Sequence, residues 1–302
     1  MKDIVIGCVT NYNFDQIRPW VNSLERCGFT GTKAMIVYNV DYPIVEELER
    51  RGFTIFAFNR DDQNKRYFFQ QDFNVVVTRF FHLYHFLSQL DPNEYRYVIT
   101  TDVKDVVFQT NPSEWLEQNL FFKDLNVASE SMKYKDEVWG FNNIRESYGQ
   151  YFQQMMADRT IYNAGTISGR LENLRDLCLN VFQWSNAAGR HYIPGGGGPD
   201  QAALNILLTL KPYCDITKFI KSEDGWACQA GTTANPKMID QFRPHLLEPE
   251  PKFDGKYVYT NSGKKFCMVH QYDRVPDWKA GMEKLYNDWF QEKKESSSMS
   301  GW

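Results

Sequence analysis

Two carboxylates three residues apart are the side chains of this chain best placed to do chemistry. Asp102 and Asp105 follow an apolar run at 97–101 that predicts a buried strand, and apolar residues resume at Val106. An ionised carboxylate beside a hydrophobic sheet is costly unless a cation or hydrogen-bond donors compensate it, and two carboxylates also repel each other. A divalent ion bound through their oxygens removes that repulsion and leaves positions for water and phosphate. The pair therefore indicates a site for Mn2+ or Mg2+.

A structural role for the same pair stays open on sequence alone. Aspartate is common in turns, so Asp102 could cap a turn while Asp105 pairs with Lys104 or with a distant arginine. The residues that the fold brings to the same place decide between a metal site and an ordinary turn.

Three further polar residues lie where the sequence predicts a strand end, a buried helix face or a close backbone approach. His270 follows a strand-like run at 265–269, and imidazole is a common ligand of Mn2+. Arg79 lies in a predicted helix among aromatic residues, so its burial requires an anionic partner. Asp200 follows a glycine run and begins a predicted helix, where it either caps the helix or acts on a substrate.

Length and composition are those of an ordinary folded protein. The 302 residues are 42% hydrophobic, 24% charged and 16% aromatic, enough for one large domain or two tightly joined halves. A net charge of -4 argues against a general nucleic-acid binder, which needs a basic face. The six cysteines form no Cys-x-x-Cys pair, which argues against a zinc site or a compact disulfide framework.

The sequence carries no signal for secretion or membrane insertion. It begins directly with a predicted strand, and no window approaches the roughly 20 apolar residues of a membrane-spanning helix. We therefore expect no transmembrane segment, a cytoplasmic location and reduced cysteines. The polar, serine-rich residues 291–302 are predicted to form a flexible tail.

The order of apolar runs predicts alternating strands and helices. Strands are predicted at 4–9, 33–38, 53–58 and 97–101, with helices at 17–24, 43–51 and 75–90 between them. This alternation is typical of a parallel, doubly wound α/β sheet, whose ligands bind beyond the carboxyl ends of the strands. The later chain is less regular: we expect strands at 127–130 and 163–169, the second leading into a substrate loop, and helices at 171–187 and 202–208.

Taken together, residues 4–279 resemble a metal-dependent, nucleotide-sugar glycosyltransferase of the GT-A fold. The chain is also similar to sugar transferases encoded by large algal viruses, which would place it in the host cytoplasm. Its motif is Asp-x-x-Asp rather than Asp-x-Asp, so which carboxylate contacts the metal directly stays open. The resemblance is carried by Thr10-Asn11-Tyr12, Arg79, Asp102 to Asp105 with Phe108-Gln109, Asn163-Ala164-Gly165, Pro199-Asp200-Gln201 and Val269-His270-Gln271-Tyr272.

The resemblance implies one Rossmann-like GT-A domain over 1–290, with a mostly parallel central sheet flanked by helices, a nucleotide-binding half at about 1–110 and an acceptor and catalytic half at about 111–290. It implies transfer of a sugar from a UDP- or GDP-sugar to a hydroxyl of a glycan or glycoprotein, with Mn2+ (or Mg2+) on the diphosphate. Asp200 would be catalytic, and Asp102, Asp105 and His270 would bind the metal. The donor would be held by Thr10, Asn11, Tyr12, Arg79, Asp102, Asn163, Arg274 and Lys279.

Three other functions are weighed against this one. A sugar-binding or inactive relative would keep the fold and cleft without turnover. A sugar nucleotidyltransferase would normally show a glycine-rich basic loop after the first strand, which residues 10–13 lack. A metal-dependent phosphatase with Asp102 as nucleophile would leave the first strand and His270 without a role. Sequence alone does not choose between inversion and retention of the sugar configuration.

Overall fold

The computed structural model describes residues 1–70, 72–189 and 198–299, and of residues 288–299 it describes the backbone. The strands in this part of the chain are β1 Lys2–Val9, β2 Thr32–Val37, β3 Val40–Asp41, β4 Phe53–Ala57, β5 Asn59–Asp61, β6 Arg66–Phe68, β7 Tyr95–Thr101, β8 Val106–Phe108, β9 Leu125–Lys133, β10 Thr160–Arg170, β11 Thr217–Ile220, β12 Ala227–Gln229, β13 Lys252–Phe253, β14 Val258–Tyr259 and β15 Met268–His270. The helices are α1 Phe14–Arg26, α2 Tyr42–Arg50, α3 Val75–Leu87, α4 Pro112–Asn119, α5 Val138–Tyr148, α6 Gln150–Met156, α7 Leu171–Asn186, α8 Asp200–Leu207, α9 Tyr213–Ile216, α10 Ala230–Thr233, α11 Ile239–Phe242 and α12 Pro276–Met299.

The largest sheet among the described residues has seven strands in the order β11, β9, β10, β7, β1, β2, β4. Neighbouring strands are parallel except around β10, which is antiparallel to both β7 and β9. The α/β class with a mostly parallel central sheet flanked by helices is confirmed. The strand predicted at 163–169 is confirmed as part of the longer strand β10, but the substrate loop expected after it is wrong, because β10 ends at Arg170 and helix α7 begins at Leu171.

Hydrophobic clusters cover both faces of the sheet, which explains why β1 is apolar without alternation. Val5 and Val9 pack in a cluster with Trp20 of α1, whereas Ile4 and Ile6 pack in a separate cluster with α3 and α7. Full burial of a side chain of this size contributes about 1.5 to 3 kcal/mol. Because apolar side chains cover both faces of the sheet, β1 and β7 are held firmly at its centre. The residues that directly follow these two strands therefore begin at fixed positions.

Helix α1 begins at a capping box in which Asn13 and Gln16 each accept a hydrogen bond from the other's backbone N–H. Its buried face includes Ile17, Trp20, Val21 and Leu24, as their helical spacing predicts.

A small sheet of β8, β15 and β12 lies beside the carboxyl edge of the central sheet. Strand β15 is antiparallel to β8 and pairs His270 with Val106, while β12 is parallel to β15 and pairs Gln229 with His270. This sheet brings a residue from the end of the chain next to the acidic pair that follows β7. The strand predicted at 265–269 is displaced, because β15 begins at Met268 and includes His270.

Helix α12, near the end of the chain, packs against α1, near its beginning. In α12, the carbonyl of Tyr286 accepts a hydrogen bond from Asn22 of α1 at 3.0 Å, and the Tyr286 hydroxyl donates to the carbonyl of Phe108 at 3.0 Å. The helix continues to Met299, into the segment predicted as a tail, and 300–302 lie outside the described residues. No helix in the described ranges is long and apolar enough to cross a membrane.

All six cysteines lie in described segments and are free thiols. Cys178, Cys228 and Cys267 are buried, and burial raises the pKa of the Cys228 thiol to about 12. The expectation of reduced cysteines agrees with this geometry.

Candidate functional site

The acidic pair occupies the break between β7 and β8. Asp102 follows β7 directly, and its backbone N–H donates to the carbonyl of Gly165 on β10 at 2.9 Å. Asp105 precedes β8, and its carbonyl accepts from the backbone N–H of Gln271 at 2.7 Å. Both backbones are therefore held by neighbouring strands. The side chains of Asp102 and Asp105 are 32% and 21% exposed, so both are partly accessible to solvent, and Lys104 between them is exposed.

His270 completes a cluster of three possible metal ligands. Its Nε2 lies 3.4 Å from Oδ2 of Asp102 and 3.7 Å from Oδ1 of Asp105. One ligand atom from each residue lies within 4.8 Å of the others, and the imidazole is 3% exposed. Two carboxylates and one imidazole are a donor set that suits Mn2+ well, whereas Mg2+ prefers oxygen ligands and water.

Gly165 leaves the space into which this cluster fits. A Cβ at this position would lie 2.6 Å from Oδ2 of Asp102, 2.8 Å from Cε1 of His270 and 2.9 Å from Oδ1 of Asn163. Real side chains do not approach so closely, so the close packing of these three groups requires glycine here. The donor set and this cradle fit a small divalent ion.

The charges of Asp102, Asp105 and His270 shift one another's pKa values. Burial disfavours ionisation of Asp102, but Arg79 and His270 together hold its pKa below the ordinary value. Burial raises the pKa of Asp105, with partial compensation from His270 and an added contribution from the charge of Asp102. Burial opposes protonation of His270, yet the two aspartates raise its pKa. The pKa values of the two aspartates are thus shifted in opposite directions, that of Asp102 downward and that of Asp105 upward.

Arg79 links the acidic cluster to Asp200, the candidate catalytic residue. Its guanidinium is 12% exposed and donates to Asp102, with longer contacts of 3.4 Å to Oδ2 of Asp200 and to the carbonyl of Ala164. The buried Nε has no hydrogen-bond partner among the described residues. The two carboxylates are therefore the anionic partners that burial of this arginine requires.

Asp200 is the first residue of α8 and is 6% exposed. Burial raises its pKa to about 6, with opposition from Arg79 and a smaller upward contribution from the charge of Asp102. Hydrogen bonds from the backbone N–H groups of Asp200 and Gln201, at the start of α8, also lower its pKa, so the carboxyl group lies against the N-terminus of this helix. A nearly buried carboxyl group with this pKa is suited to accept a proton near neutral pH.

Glu130 is a fourth acid in this region, one that sequence reasoning did not single out. Its Oε1 accepts hydrogen bonds from Nδ2 of Asn163 at 2.7 Å and from Nε2 of Gln201 at 3.1 Å. Gln201 in turn accepts from the backbone N–H of Ala164 at 3.2 Å, next to the contact of Arg79. Asn163 thus lies in the network that joins β9, β10 and α8, and the predicted residues Asp200 and Asn163 belong to one region.

Thr10, Asn11 and Tyr12 leave the same edge of the sheet as Asp102, because β1 and β7 are parallel neighbours. Oγ1 of Thr10 is buried without a hydrogen-bond partner among the described residues. Asn11 has a φ of 54° and its N–H donates to the carbonyl of Asn39 at 2.9 Å. Burial raises the pKa of Tyr12, and the nearby charges of the acidic pair add to the shift. The effect of the acidic pair on Tyr12 places its ring near the cluster, whereas Thr10 and Asn11 share the sheet edge with Asp102.

The two basic residues predicted near the end of the chain differ in position. The charge of Arg274 lowers the pKa values of Asp105 and His270, which places this exposed side chain beside the cluster. Lys279 is exposed on α12, and within the described residues no hydrogen bond or ion pair joins its side chain to the cluster.

Two neighbours of the predicted residues carried only weak signals in the sequence. Glu130 is an acid within the apolar strand run 127–130, a pattern that indicates a special role for a buried charge. Gln229 forms a hydrogen bond with His270, but β12 is three residues long and has no readable periodicity.

Neither a protein-family model nor a curated protein matches the chain. Among solved structures it is similar to the galactosyltransferase LgtC in complex with donor and acceptor sugar analogs, with a TM-score of 0.50 and 15% identity over 89% of this chain and 86% of that one. It is also similar to the apo-form glycosyltransferase GlyE of Streptococcus pneumoniae TIGR4, with a TM-score of 0.49 and 13% identity over 97% of this chain; the chain spans 64% of that length. The likeness to LgtC shows a shared fold of the GT-A type.

Proposed function

We propose that the protein is a glycosyltransferase that moves a sugar from a nucleoside-diphosphate sugar to a hydroxyl of a glycan or glycoprotein. The observation that carries the proposal is the convergence of Asp102, Asp105 and His270 at the carboxyl edge of a GT-A-type sheet, one contact away from the buried Arg79–Asp200 pair. LgtC, whose fold the chain shares, is a galactosyltransferase that binds donor and acceptor sugar analogs in its structure.

Asp102, Asp105 and His270 would hold Mn2+ (or Mg2+). When bound, the ion would offset the negative charge that develops on the departing diphosphate. Arg79 lies against Asp102 and has an unused Nε–H donor, and Arg274 adds a positive charge at the rim. Both guanidinium groups suit phosphate or sugar oxygens. Thr10 has an unused hydroxyl at the same edge, which suits a hydrogen bond to the nucleoside.

Asp200 is the proposed catalytic residue. With a pKa of about 6, its carboxyl group is mostly ionised at neutral pH yet remains basic enough to take a proton. In an inverting reaction, it would accept the proton of the acceptor hydroxyl as the new glycosidic bond forms and the bond to the diphosphate breaks. In a retaining reaction, it would position the donor sugar, and a diphosphate oxygen would take that proton.

The first test is calorimetric titration with a panel of UDP- and GDP-sugars, with and without Mn2+, followed by measurement of nucleoside diphosphate release. We expect metal-dependent binding of one donor and its slow hydrolysis. Asp102→Asn and Asp105→Asn should both abolish metal-dependent binding. Asp3→Asn is the matched control, because Asp3 is also a buried carboxylate paired with an arginine, Arg96, but lies at the opposite end of β1.

Near-normal turnover by both variants of the acidic pair would contradict the proposed metal site. Absence of binding across the panel in the presence of Mn2+ would contradict the proposed donor class. Binding of a donor without any transfer or hydrolysis would favour a sugar-binding module that keeps the fold.

A further inference from the structure

We infer that Gln229 is the positioning residue of the candidate metal site. Its side-chain amide holds the imidazole of His270 with a proton on Nδ1, and thereby directs the Nε2 lone pair toward Asp102 and Asp105. The inference rests on the metal site of the proposed function, and it is independent of the donor sugar and of the acceptor.

The side-chain amide of Gln229 makes two hydrogen bonds, and its oxygen faces the imidazole. Oε1 of Gln229 lies 2.7 Å from Nδ1 of His270, and Nε2 of Gln229 donates to Oγ1 of Thr166 at 2.9 Å. All three residues are buried: Gln229 is 1% exposed, His270 is 2% exposed and Thr166 is 0% exposed. With the amide oxygen facing the ring, Gln229 accepts this hydrogen bond and Nδ1 of the imidazole is the donor. The chain Thr166, Gln229, His270 therefore assigns one tautomer to the neutral ring.

This tautomer matters because the other one is incompatible with a metal. Nε2 faces Oδ2 of Asp102 at 3.4 Å and Oδ1 of Asp105 at 3.7 Å. Without an acceptor at Nδ1, these carboxylates would draw the single proton of the neutral imidazole to Nε2, where it would occupy the direction of the metal bond. The amide of Gln229 competes for that proton from the opposite side of the ring, as outer-shell partners of metal-bound histidines do.

The backbone holds Gln229 in register with its partner. Strands β12 and β15 are parallel and pair Gln229 with His270. The carbonyl of Gln229 also accepts hydrogen bonds from the hydroxyls of Thr232 at 3.2 Å and Thr233 at 2.8 Å in α10. Both the amide and the backbone of this residue are therefore fixed before any ligand binds.

The test replaces the amide with a side chain of similar size that lacks the acceptor, and then restores an acceptor. Gln229→Met should raise the Kd for Mn2+, measured from the electron paramagnetic resonance signal of the free ion, by about 10- to 100-fold. Gln229→Glu keeps an acceptor opposite Nδ1 and should restore the affinity. In the metal-free protein, nitrogen-15 NMR of the neutral His270 ring should show the proton on Nδ1 in the wild type and in Gln229→Glu, and a shift of the proton to Nε2 in Gln229→Met.

Gln109→Met is the matched control, because Gln109 is also a buried glutamine beside β15 but makes its hydrogen bonds to backbone groups of Val258 and Phe266. It should reduce stability and leave the Mn2+ affinity and the His270 tautomer unchanged. Equal losses of affinity in the two methionine variants, or an unchanged tautomer in Gln229→Met, would overturn the inference. A wild-type protein that binds no Mn2+ would contradict the metal site of the proposed function as well, whereas Mn2+ binding without any donor binding would leave the inference standing and contradict the donor alone.

Discussion

Burial raises the pKa of Asp200 to about 6 from an ordinary value of 3.8, which links this residue to stability as well as to catalysis. A raised pKa means that the folded state binds the proton more tightly than the unfolded chain does. The stability that Asp200 contributes is therefore fully present below pH 3.8 and is lost as the pH rises through 6. An asparagine at this position has nearly the same size as aspartate, but its side chain does not ionise.

We predict that Asp200→Asn gains stability relative to the wild type as the pH rises from about 4 to 7, by on the order of 2 kcal/mol. The measurement is urea unfolding of both proteins across this range, with the difference in unfolding free energy plotted against pH. A flat difference, or one with the opposite slope, would contradict the raised pKa. The same variant should lose transfer activity if Asp200 takes or directs the proton.

Gly165 gives a second prediction at this scale. A methyl group at this position would collide with Asp102, His270 and Asn163, and none of the first contacts is the end of a long flexible side chain. We expect Gly165→Ala to weaken Mn2+ binding by at least about tenfold and to cost about 1 to 3 kcal/mol of stability from overpacking. Gly189→Ala is the control, because a Cβ there would meet only atoms at 3.7 Å or more. Equal Mn2+ affinities in the two variants would contradict the role of Gly165.

The sequence identified the residues of the cluster better than the residues that surround them. Asp102, Asp105 and His270 were identified from residue type and from their position at strand ends, and the structure brings them together. Glu130 and Gln229 were missed, because their roles depend on cross-strand partners. Spacing along one segment carries no information about such contacts.

At the scale of elements, the first half of the chain could be predicted closely and the second half could not. Strands β1, β2, β4 and β7 are continuous apolar runs with helices between them, which is the pattern of a parallel sheet. Strand β10 mixes apolar and polar residues, and its sequence does not indicate the direction of the strand or which strands pair with it. Strands β12 and β15 are only three residues long, too short to show a periodic pattern in the sequence, and they are held in place by pairing with neighbouring strands.

Gln109 joins the segment after β8 to Val258 of β14 and to Phe266, which lies before β15. It follows β8 directly; its amide donates to the carbonyls of Val258 and Phe266, both at 2.9 Å, and accepts from the N–H of Val258 at 2.7 Å. Gln109→Met removes three hydrogen bonds and leaves buried backbone groups unpaired, so we expect a loss of about 2 to 4 kcal/mol in unfolding free energy. Urea unfolding measures the loss, and a value below about 1 kcal/mol would show that water replaces these bonds.

At the scale of the whole molecule, the predicted halves 1–110 and 111–290 share their strands and helices. One edge of β7 is covered by β10 from the second half, and β8 pairs with β15. Helix α12 packs on α1, where Asn22 and Arg26 donate to carbonyls of Tyr286 and Leu285. A fragment that ends near residue 110 would expose a central strand edge and the apolar face of α1, which is an aggregation-prone surface.

We therefore predict that the chain unfolds as one cooperative unit. Circular dichroism at far-ultraviolet wavelengths and tryptophan fluorescence should give coincident urea transitions, because Trp20 of the first half and Trp226 of the second lie in one hydrophobic cluster. The fragment 1–110 should show no cooperative transition of its own. Separate transitions for the two probes, or a folded 1–110 fragment, would mean that the nucleotide-side half is stable alone. In that case β10 and α12 would pack onto strands and helices of 1–110 that have already folded. The acidic pair would then be in place before His270 reaches it.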